Sequence, residues 1–317
     1  MSDLVFSRRE FLSHSASCAA HLGVMSAAAP FWTKGLWAQE RFPVVATEPW
    51  GRLERVSDGV WALVSTPFQD RTTLCNGGII AGRNGVVVID AFGTDAGARW
   101  MGEQAIRLAG HAPTHVVLTH FHGDHTGGLR GAREVGSPAI LATPVTRDYS
   151  RDRDGAPNEI LNRVTPLDTI RPTEIDLGDR SLIVVPRQGH TDSDVTVELT
   201  DPSVVFCGDL FWNEMFPNFM SATPSRLSQA VRLLQLADAE TYVPGHGPLA
   251  DRAALDRYMD VLDHVEDAAR RAMAEGMTAE EAGARFAMPA ESAEWILFNP
   301  NYFEVAIGSW MSELGRP

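Results

Sequence analysis

Residues 120–125 place the strongest constraint on how this chain folds. They read His-Phe-His-Gly-Asp-His and follow directly on the short apolar run at residues 116–118. Such a run is typical of a buried strand, and side chains near a strand end point alternately to its two sides. We therefore expect His120 and His122 to share one metal ion, with Asp124 and His125 facing a second ion beside it.

Three further predicted strands end in residues of the same chemical type. These residues are His190, Asp209 and His246, and each comes with a neighbouring glycine. Ligands gather at strand ends in layered α/β folds, so we expect these side chains to join the first cluster. Imidazole and carboxylate ligands together favour zinc, with iron or manganese as alternatives.

A metal-free interpretation has to be weighed against this one. The chain has ten histidines, and a lone histidine such as His111, His115 or His264 is usually a surface or hydrogen-bonded side chain. Three imidazoles and a carboxylate within six residues, matched by three further strand ends, are far harder to obtain by chance. The pattern therefore predicts a metal centre.

The charge of the chain limits its partners. The formal net charge is −14, without a basic patch, so the surface repels phosphate backbones and nucleic acid is not expected as a partner. No stretch reaches about 18 uninterrupted apolar residues, so no stable membrane span is expected. A small-molecule substrate is the remaining expectation, and the oligomeric state is left open.

Residues 1–38 are predicted to be a twin-arginine signal peptide with a linker. Residues 7–12 read S-R-R-E-F-L, which resembles the twin-arginine export signal, and an Ala- and Ser-rich apolar run follows to about residue 30. Cleavage after the alanines at 27–29 or at Ala38 fits this interpretation. A surface helix with two arginines is the alternative. The signal predicts export of the folded protein by the twin-arginine machinery to the periplasm.

Residues 39–317 are predicted to form one layered α/β domain. Groups of short strands alternate with helices twice along the chain, which predicts two α/β halves whose sheets face each other in a four-layer αββα sandwich. The charged, turn-rich residues 144–171 are interpreted as an insertion and residues 251–317 as a C-terminal helical extension. Helices are predicted at residues 95–109, 225–236, 251–275 and 278–286.

These motifs resemble the metallo-β-lactamase superfamily. The resemblance covers roughly residues 50–250 and implies the αββα sandwich with a dinuclear metal site between the sheet edges. It rests on the segments T-H-F-H-G-D-H-T-G-G at 119–128, G-H-T at 189–191, G-D at 208–209 and P-G-H-G at 244–247, and the hairpin with N-G-G at 76–78 and V-V-V-I-D at 86–90 also fits it.

The resemblance also implies a role for each of seven residues. It places the first ion on His120, His122 and His190, the second on Asp124, His125 and His246, and Asp209 between the two. A hydroxide bridging two divalent ions is then the expected nucleophile, with Asp124 also orienting it or moving its proton. The bridging Asp209 resembles the glyoxalase II-like and lactonase-like branches, whereas β-lactamases of the superfamily usually have Cys or Ser near that point.

The predicted function is metal-dependent hydrolysis of an ester, thioester, lactone or lactam bond in a small molecule. One alternative is a persulfide dioxygenase-like enzyme with a single iron on His120, His190 and Asp209. Two others are a β-lactamase and a non-catalytic metal-binding protein.

Aromatic residues near the predicted site are candidate substrate contacts. An aromatic mouth with few cations favours a neutral, partly apolar substrate. The equal alternative is that these side chains belong to the hydrophobic core. The candidates are Phe68, Trp212, Phe216 and Phe219.

Overall fold

The computed structural model describes residues 41–66, 69–151, 155–156 and 158–315. The predicted signal peptide therefore lies outside the described residues. Within the described part of the chain, no helix is both long and apolar enough to cross a membrane.

The N-terminal half builds a mixed sheet of eight strands, arranged in chain order from β1 to β8. The strands from β1 to β5 pair antiparallel, and β5 to β8 pair parallel. The strands are β1 Val44–Glu48, β2 Gly51–Ser57, β3 Val60–Ser65, β4 Gly77–Gly82, β5 Gly85–Ile89, β6 His115–Val117, β7 Ala139–Ala142 and β8 Thr165–Pro166.

The C-terminal half contributes a second sheet of five strands in the order β13-β12-β11-β10-β9. Its strands pair antiparallel except for β12 and β13, which are parallel. They are β9 Thr173–Asp176, β10 Ser181–Pro186, β11 Val195–Leu199, β12 Val204–Trp212 and β13 Thr241–His246.

Helices cover the outer faces of both sheets. The first of them is α1, and its helical bounds match the sequence-based prediction. The described helices are α1 Asp95–Ala109, α2 Gly123–Thr126, α3 Leu129–Glu134, α4 Pro144–Tyr149, α5 Pro224–Ala237, α6 Arg252–Glu275, α7 Ala279–Arg285 and α8 Tyr302–Leu314. Helix α7 begins with the capping box of Thr278 and Glu281.

Strand β5 shows why the sheets stack. All of its residues are buried, and the two-residue period of a strand sends alternate side chains to opposite faces. Val87 and Ile89 pack against Phe206 of the second sheet, whereas Val86 and Val88 join Met101 of α1. Alternate side chains of one strand therefore belong to two hydrophobic cores, one between the sheets and one beneath α1. The predicted four-layer αββα sandwich is confirmed.

Several local predictions differ from the structure. The sequence predicts a strand at residues 204–207 and an aromatic loop at 210–222, but β12 continues to Trp212, so the first part of that loop is strand. Strands β1, β7 and β9 were not predicted from the sequence. The described part of residues 144–171 contains α4, a 3₁₀ turn at Glu159–Arg163 and β8. Its assignment as an insertion stays a prediction.

A buried asparagine joins the two halves beside the predicted site. The side-chain Nδ2 of Asn76 donates to the carbonyl oxygens of Pro244 (2.9 Å) and Gly247 (2.7 Å), which flank His246. Its Oδ1 accepts from the backbone N–H of Ser65 at 2.8 Å. The Asn76 side chain thereby holds the end of β13 against β3 and β4.

Replacing this side chain should destabilise the fold. Asn76→Ala leaves two carbonyl oxygens and one N–H buried without these partners, so we expect the free energy of unfolding to fall by about 3 kcal/mol. Chemical denaturation followed by circular dichroism measures this change. Asn162→Ala, at an exposed position, is the control and should be within about 0.5 kcal/mol of the wild type. Equal stability of Asn76→Ala and the wild type would contradict the role given to Asn76.

Candidate metal centre

Three imidazole nitrogens and one carboxylate oxygen converge to form a first cradle. His122 Nδ1 lies 3.1 Å from His120 Nε2 and 3.0 Å from His190 Nε2. Asp209 Oδ2 closes the group, 3.4 Å from His190 Nε2 and 3.8 Å from His120 Nε2. Four ligand atoms of suitable type therefore surround one point.

A second cradle lies directly beside the first. His125 Nε2 is 3.0 Å from Asp209 Oδ1 and 3.5 Å from Asp124 Oδ2. His246 Nε2 is 3.4 Å from the same Asp209 oxygen and 3.2 Å from Asp124 Oδ2. The two oxygens of Asp209 thus face different cradles, which is the arrangement of a bridging carboxylate.

Topology explains why these seven residues meet. His120 follows the end of β6, and the helical turn α2 carries Asp124 and His125. In the other sheet, Asp209 lies within β12 and His246 at the end of the parallel neighbour β13. The structure brings together all seven predicted ligand residues, and their binding of metal ions stays a prediction.

Glycine is required where the strands β12 and β13 approach each other. A Cβ at Gly245 would lie 2.0 Å from Asp209 Oδ1 and 2.8 Å from the Gly208 carbonyl carbon. Real Cβ atoms do not come so close to such groups. Gly245 therefore leaves the space that the bridging carboxylate occupies.

The chemistry of the donor set fits bound cations. His125 Nε2 and His246 Nε2 lie 3.0 Å and 3.4 Å from Asp209 Oδ1, but none of these three buried atoms makes a hydrogen bond of acceptable geometry. Buried polar atoms are normally hydrogen-bonded, so a cluster of such atoms requires another partner. Divalent cations supply one, since they take neutral imidazole and carboxylate ligands.

The first cradle holds neutral imidazoles. Burial lowers the pKa of His190 to about 3. The negative charge of Asp209 raises this pKa but does not offset the effect of burial. Burial likewise lowers the pKa of His120 and of His122. Each of these rings is therefore neutral at neutral pH, with one protonated nitrogen and one lone-pair nitrogen that is available as a ligand.

In the second cradle, the pKa values of both histidines are raised, so protons compete with metal ions for their nitrogens. Burial opposes the charged form of His246, but Asp209 and Asp124 outweigh it and raise its pKa to about 9. The pKa of His125 is also raised, because Cys75, Asp209 and Asp124 outweigh the effect of burial. For Asp124, the charges of His125 and His246 outweigh burial and lower the pKa to about 2. Before metal binds, protons stabilise this cradle.

Side chains behind the cradles orient the imidazoles. Asp90 Oδ2 accepts from His125 Nδ1 at 2.8 Å, which directs Nε2 toward the second cradle. The Thr119 backbone N–H donates to Asp90 Oδ1 at 2.8 Å. The Thr119 hydroxyl also lies 3.1 Å from His120 Nδ1. One buried carboxylate therefore orders residues that serve both cradles.

The turn that carries His190 has its own support. Asp194 Oδ2 accepts from the backbone N–H groups of Gly189 (3.1 Å) and Thr191 (2.7 Å), and Asp194 Oδ1 accepts from the Thr191 hydroxyl at 2.7 Å. These bonds fix the backbone on both sides of His190, which is buried.

Sequence reasoning assigned no role in the site to three residues around the centre: Asp90 and Asn76, which it placed only in a hairpin, and Ser221, whose hydroxyl oxygen lies 3.2 Å from His122 Nε2. The signal for Asp90 was present, because an acid directly follows the wholly apolar strand β5 at a buried position. No local pattern marks Ser221, since its partner is 99 residues away.

The predicted substrate contacts have different positions. The Trp212 ring packs on His246, with 4.3 Å between ring centroids. Phe216 and Phe219 are buried in the hydrophobic core. Phe68 lies outside the described residues. Contact of any of these side chains with substrate stays a prediction.

Fold and site together define an αββα protein in which two adjacent clusters of histidine and aspartate fit a metal site. A family model for the metallo-beta-lactamase superfamily matches residues 71–246, more than half of the chain. The chain belongs to this superfamily.

Several curated proteins are similar in sequence. The hydroxyacylglutathione hydrolase of Acidiphilium cryptum (strain JF-5) is 29% identical over 204 residues, which are 62% of this chain and 74% of that protein. The acyl-coenzyme A thioesterase MBLAC2 of Gallus gallus is 26% identical over 160 residues, covering 44% of this chain and 58% of the relative. The metallo-beta-lactamase type 2 of Bacillus cereus is 23% identical over 217 residues, covering 66% and 82% respectively.

Solved structures support the fold alone. A metallo-beta-lactamase from Pontibacter korlensis has a TM-score of 0.55 and 22% identity, covering 67% of this chain and 99% of its own. The sec-alkylsulfatase Pisa1 from Pseudomonas sp. has a TM-score of 0.67 and 14% identity, covering 94% of this chain and 62% of its own.

Metal binding to the two cradles should depend differently on pH. The second cradle must release the proton of His246, whose pKa is about 9, so its affinity should rise with pH from 6 to 8. Each released proton makes the rise about tenfold per pH unit. The first cradle, with His190 at a pKa of about 3, should bind with nearly constant affinity over this range.

Zinc titration of the metal-free protein at pH 6, 7 and 8, against a competing chelator, measures both affinities. His111→Ala removes an exposed histidine and should reproduce the wild-type profile. The same pH dependence for the first and second ion would contradict the assignment.

Proposed function

We propose that this protein is a hydrolase that uses two divalent metal ions, with zinc as the first candidate, to cleave a thioester or related ester bond of a small molecule. One observation carries the proposal: the two carboxylate oxygens of Asp209 face separate cradles, each completed by histidines. A structural metal site needs one closed ligand set, whereas adjacent metal sites are typical of hydrolytic centres.

Two bound ions would lower the pKa of a shared water and polarise the carbonyl that it attacks. The residues of this chain supply the rest. Asp209 is buried and keeps the cradles at a fixed separation. Asp124 is the more exposed carboxylate, with 26% of its side chain accessible, and its Oδ2 lies 3.2 Å from His246 Nε2 in the second cradle. Asp124 is therefore placed to accept and return a proton as well as to hold metal.

The thioester class is supported by the relatives. Two of them are named hydroxyacylglutathione hydrolase and acyl-coenzyme A thioesterase. Ester and lactone bonds require the same attack on a carbonyl and belong to the same proposal. The similarity to the Bacillus cereus metallo-beta-lactamase favours β-lactam hydrolysis as a second candidate.

A matched substrate panel tests this proposal. Purified protein should contain about two metal ions per chain and hydrolyse thioesters faster than lactones, simple esters or a chromogenic β-lactam. Chelation should remove activity and zinc should restore it. His122→Ala and Asp124→Ala should each lower kcat/KM at least ~100-fold, corresponding to about 2.7 kcal/mol of transition-state stabilisation.

His111→Ala is the control for these variants and should behave as the wild type. Activity that survives His122→Ala and Asp124→Ala would place the chemistry elsewhere. A single tightly bound iron, together with oxygen consumption on a persulfide, would replace the proposal with a dioxygenase. Faster turnover of the β-lactam would favour the second candidate.

We propose in addition that the protein is exported to the periplasm by the twin-arginine machinery. The proposal is supported by the S-R-R-E-F-L sequence at residues 7–12. Replacing Arg8 and Arg9 together by lysine should retain the protein in the cytoplasm, because the machinery reads the arginine pair. Cell fractionation with immunoblotting measures the change, and replacement of Arg55 and Arg99, both outside the signal, is the control. An unchanged distribution would contradict export by this route.

A further inference from the structure

His122 differs from the other histidines of the centre. It faces the first cradle with Nδ1, whereas His120 and His190 use Nε2. It is also only partly buried, while the other four histidines are buried. The rings of His120, Phe121 and His190 contact the His122 ring edge to face, but these contacts do not select which of its two nitrogens carries the proton.

Ser221 makes the contact that orients this ring. Its hydroxyl oxygen lies 3.2 Å from His122 Nε2. Among the residues that the structure describes, it is the one side chain outside the cradle that is hydrogen-bonded to a ring nitrogen of His122. A neutral imidazole carries one proton, so a proton on Nε2 leaves the Nδ1 lone pair free for a cation. The Ser221 hydroxyl then accepts the Nε2 hydrogen.

The loop of residues 213–223 holds Ser221 in place. The Phe216 backbone N–H donates to the Ile296 carbonyl at 2.9 Å, which ties the loop to the segment before α8. Phe216 and Phe219 are buried among the C-terminal helices. The Ser309 hydroxyl of α8 lies 3.4 Å from the Phe219 carbonyl oxygen. Two buried rings therefore anchor the loop just before Ser221.

The other end of the loop is fixed against a second ligand segment. The Thr223 backbone N–H donates to the Gly189 carbonyl at 2.9 Å, directly before His190. A Cβ at Gly189 would lie 2.6 Å from the Leu227 Cα, so the turn and helix α5 are in close contact. The loop thus connects the strand that contains Asp209 to the helix that packs on the turn of His190. Within this loop, the Ser221 hydroxyl contacts His122.

We propose that Ser221 is a positioning residue that selects the Nε2-protonated form of His122 and so presents Nδ1 to the first metal ion. The C-terminal helices support the metal centre through this loop. The proposal rests on the ligand role given to His122 in the proposed function.

Metal binding tests the proposal independently of hydrolysis. The full-length chain is stripped of metal and titrated with Co²⁺ at pH 7. Loss of a partner that orients a metal ligand typically costs 10–100-fold in metal affinity. Ser221→Ala should therefore raise the Kd for Co²⁺ at the first cradle, which contains His122, by ~10–100-fold. Ser221→Thr retains the hydroxyl and should restore the affinity to within about threefold of the wild type.

Ser225→Ala is the matched control. Ser225 lies four residues further on, is exposed, and bonds to Glu313 rather than to the site. It should leave Co²⁺ affinity and the visible absorption spectrum unchanged. In ¹⁵N-histidine spectra of the metal-free protein, the Nε2-protonated form of His122 should dominate in the wild type and in Ser221→Thr, but not in Ser221→Ala.

Wild-type Co²⁺ affinity and an unchanged His122 spectrum in Ser221→Ala would overturn the proposal. A raised KM with unchanged metal affinity would also overturn it, because Ser221 would then contact substrate. Failure of the wild type to hydrolyse any substrate, with the Co²⁺ result as expected, would sink the proposed function and leave the role of Ser221 intact.

Discussion

The buried carboxylate of Asp209 is the interaction on which the rest of the structure depends. Its environment contains five imidazoles and a second carboxylate, and it has almost no access to solvent. Removing an ion from water costs several kcal/mol, so a buried carboxylate persists only where opposite charge compensates it. In the metal-free chain, the raised pKa of His246 and His125 shows where that charge comes from. Cations would provide it without protons.

The fold meets this requirement by concentrating strand ends. The parallel neighbours β12 and β13 bring Asp209 beside His246, and Gly245 leaves the necessary space between them. Asn76 then joins this edge to the first sheet, where Asp90 and Thr119 order the histidines that follow β6. Residues remote in sequence share a single function: they hold imidazoles in fixed orientations before any ligand arrives. Such preorganisation reduces the cost of binding a cation.

The C-terminal helices extend this preorganisation. Their aromatic cluster surrounds Phe216 and Phe219, for which the sequence left substrate contact and membership of the core as equal alternatives. In the structure, their burial anchors the loop that carries Ser221. Trp212 alone of the described candidates packs on a cradle histidine. The C-terminal helices therefore complete a hydrophobic core and also fix the position of the loop that contacts His122.

Much of this could be predicted from the sequence. The periodic apolar residues of α1, the wholly apolar strand β5 and the cluster at residues 120–125 are local patterns, and local patterns determine elements and candidate ligands. The tertiary structure decided which nitrogen of each histidine faces the centre, which oxygen of Asp209 faces which cradle, and that Asn76 and Ser221 belong to the site. These features depend on contacts such as that of Asn76 with Gly247, separated by 171 residues. Their geometry arises only when two sheets pack, because no spacing along the chain encodes the distance between atoms on different sheets.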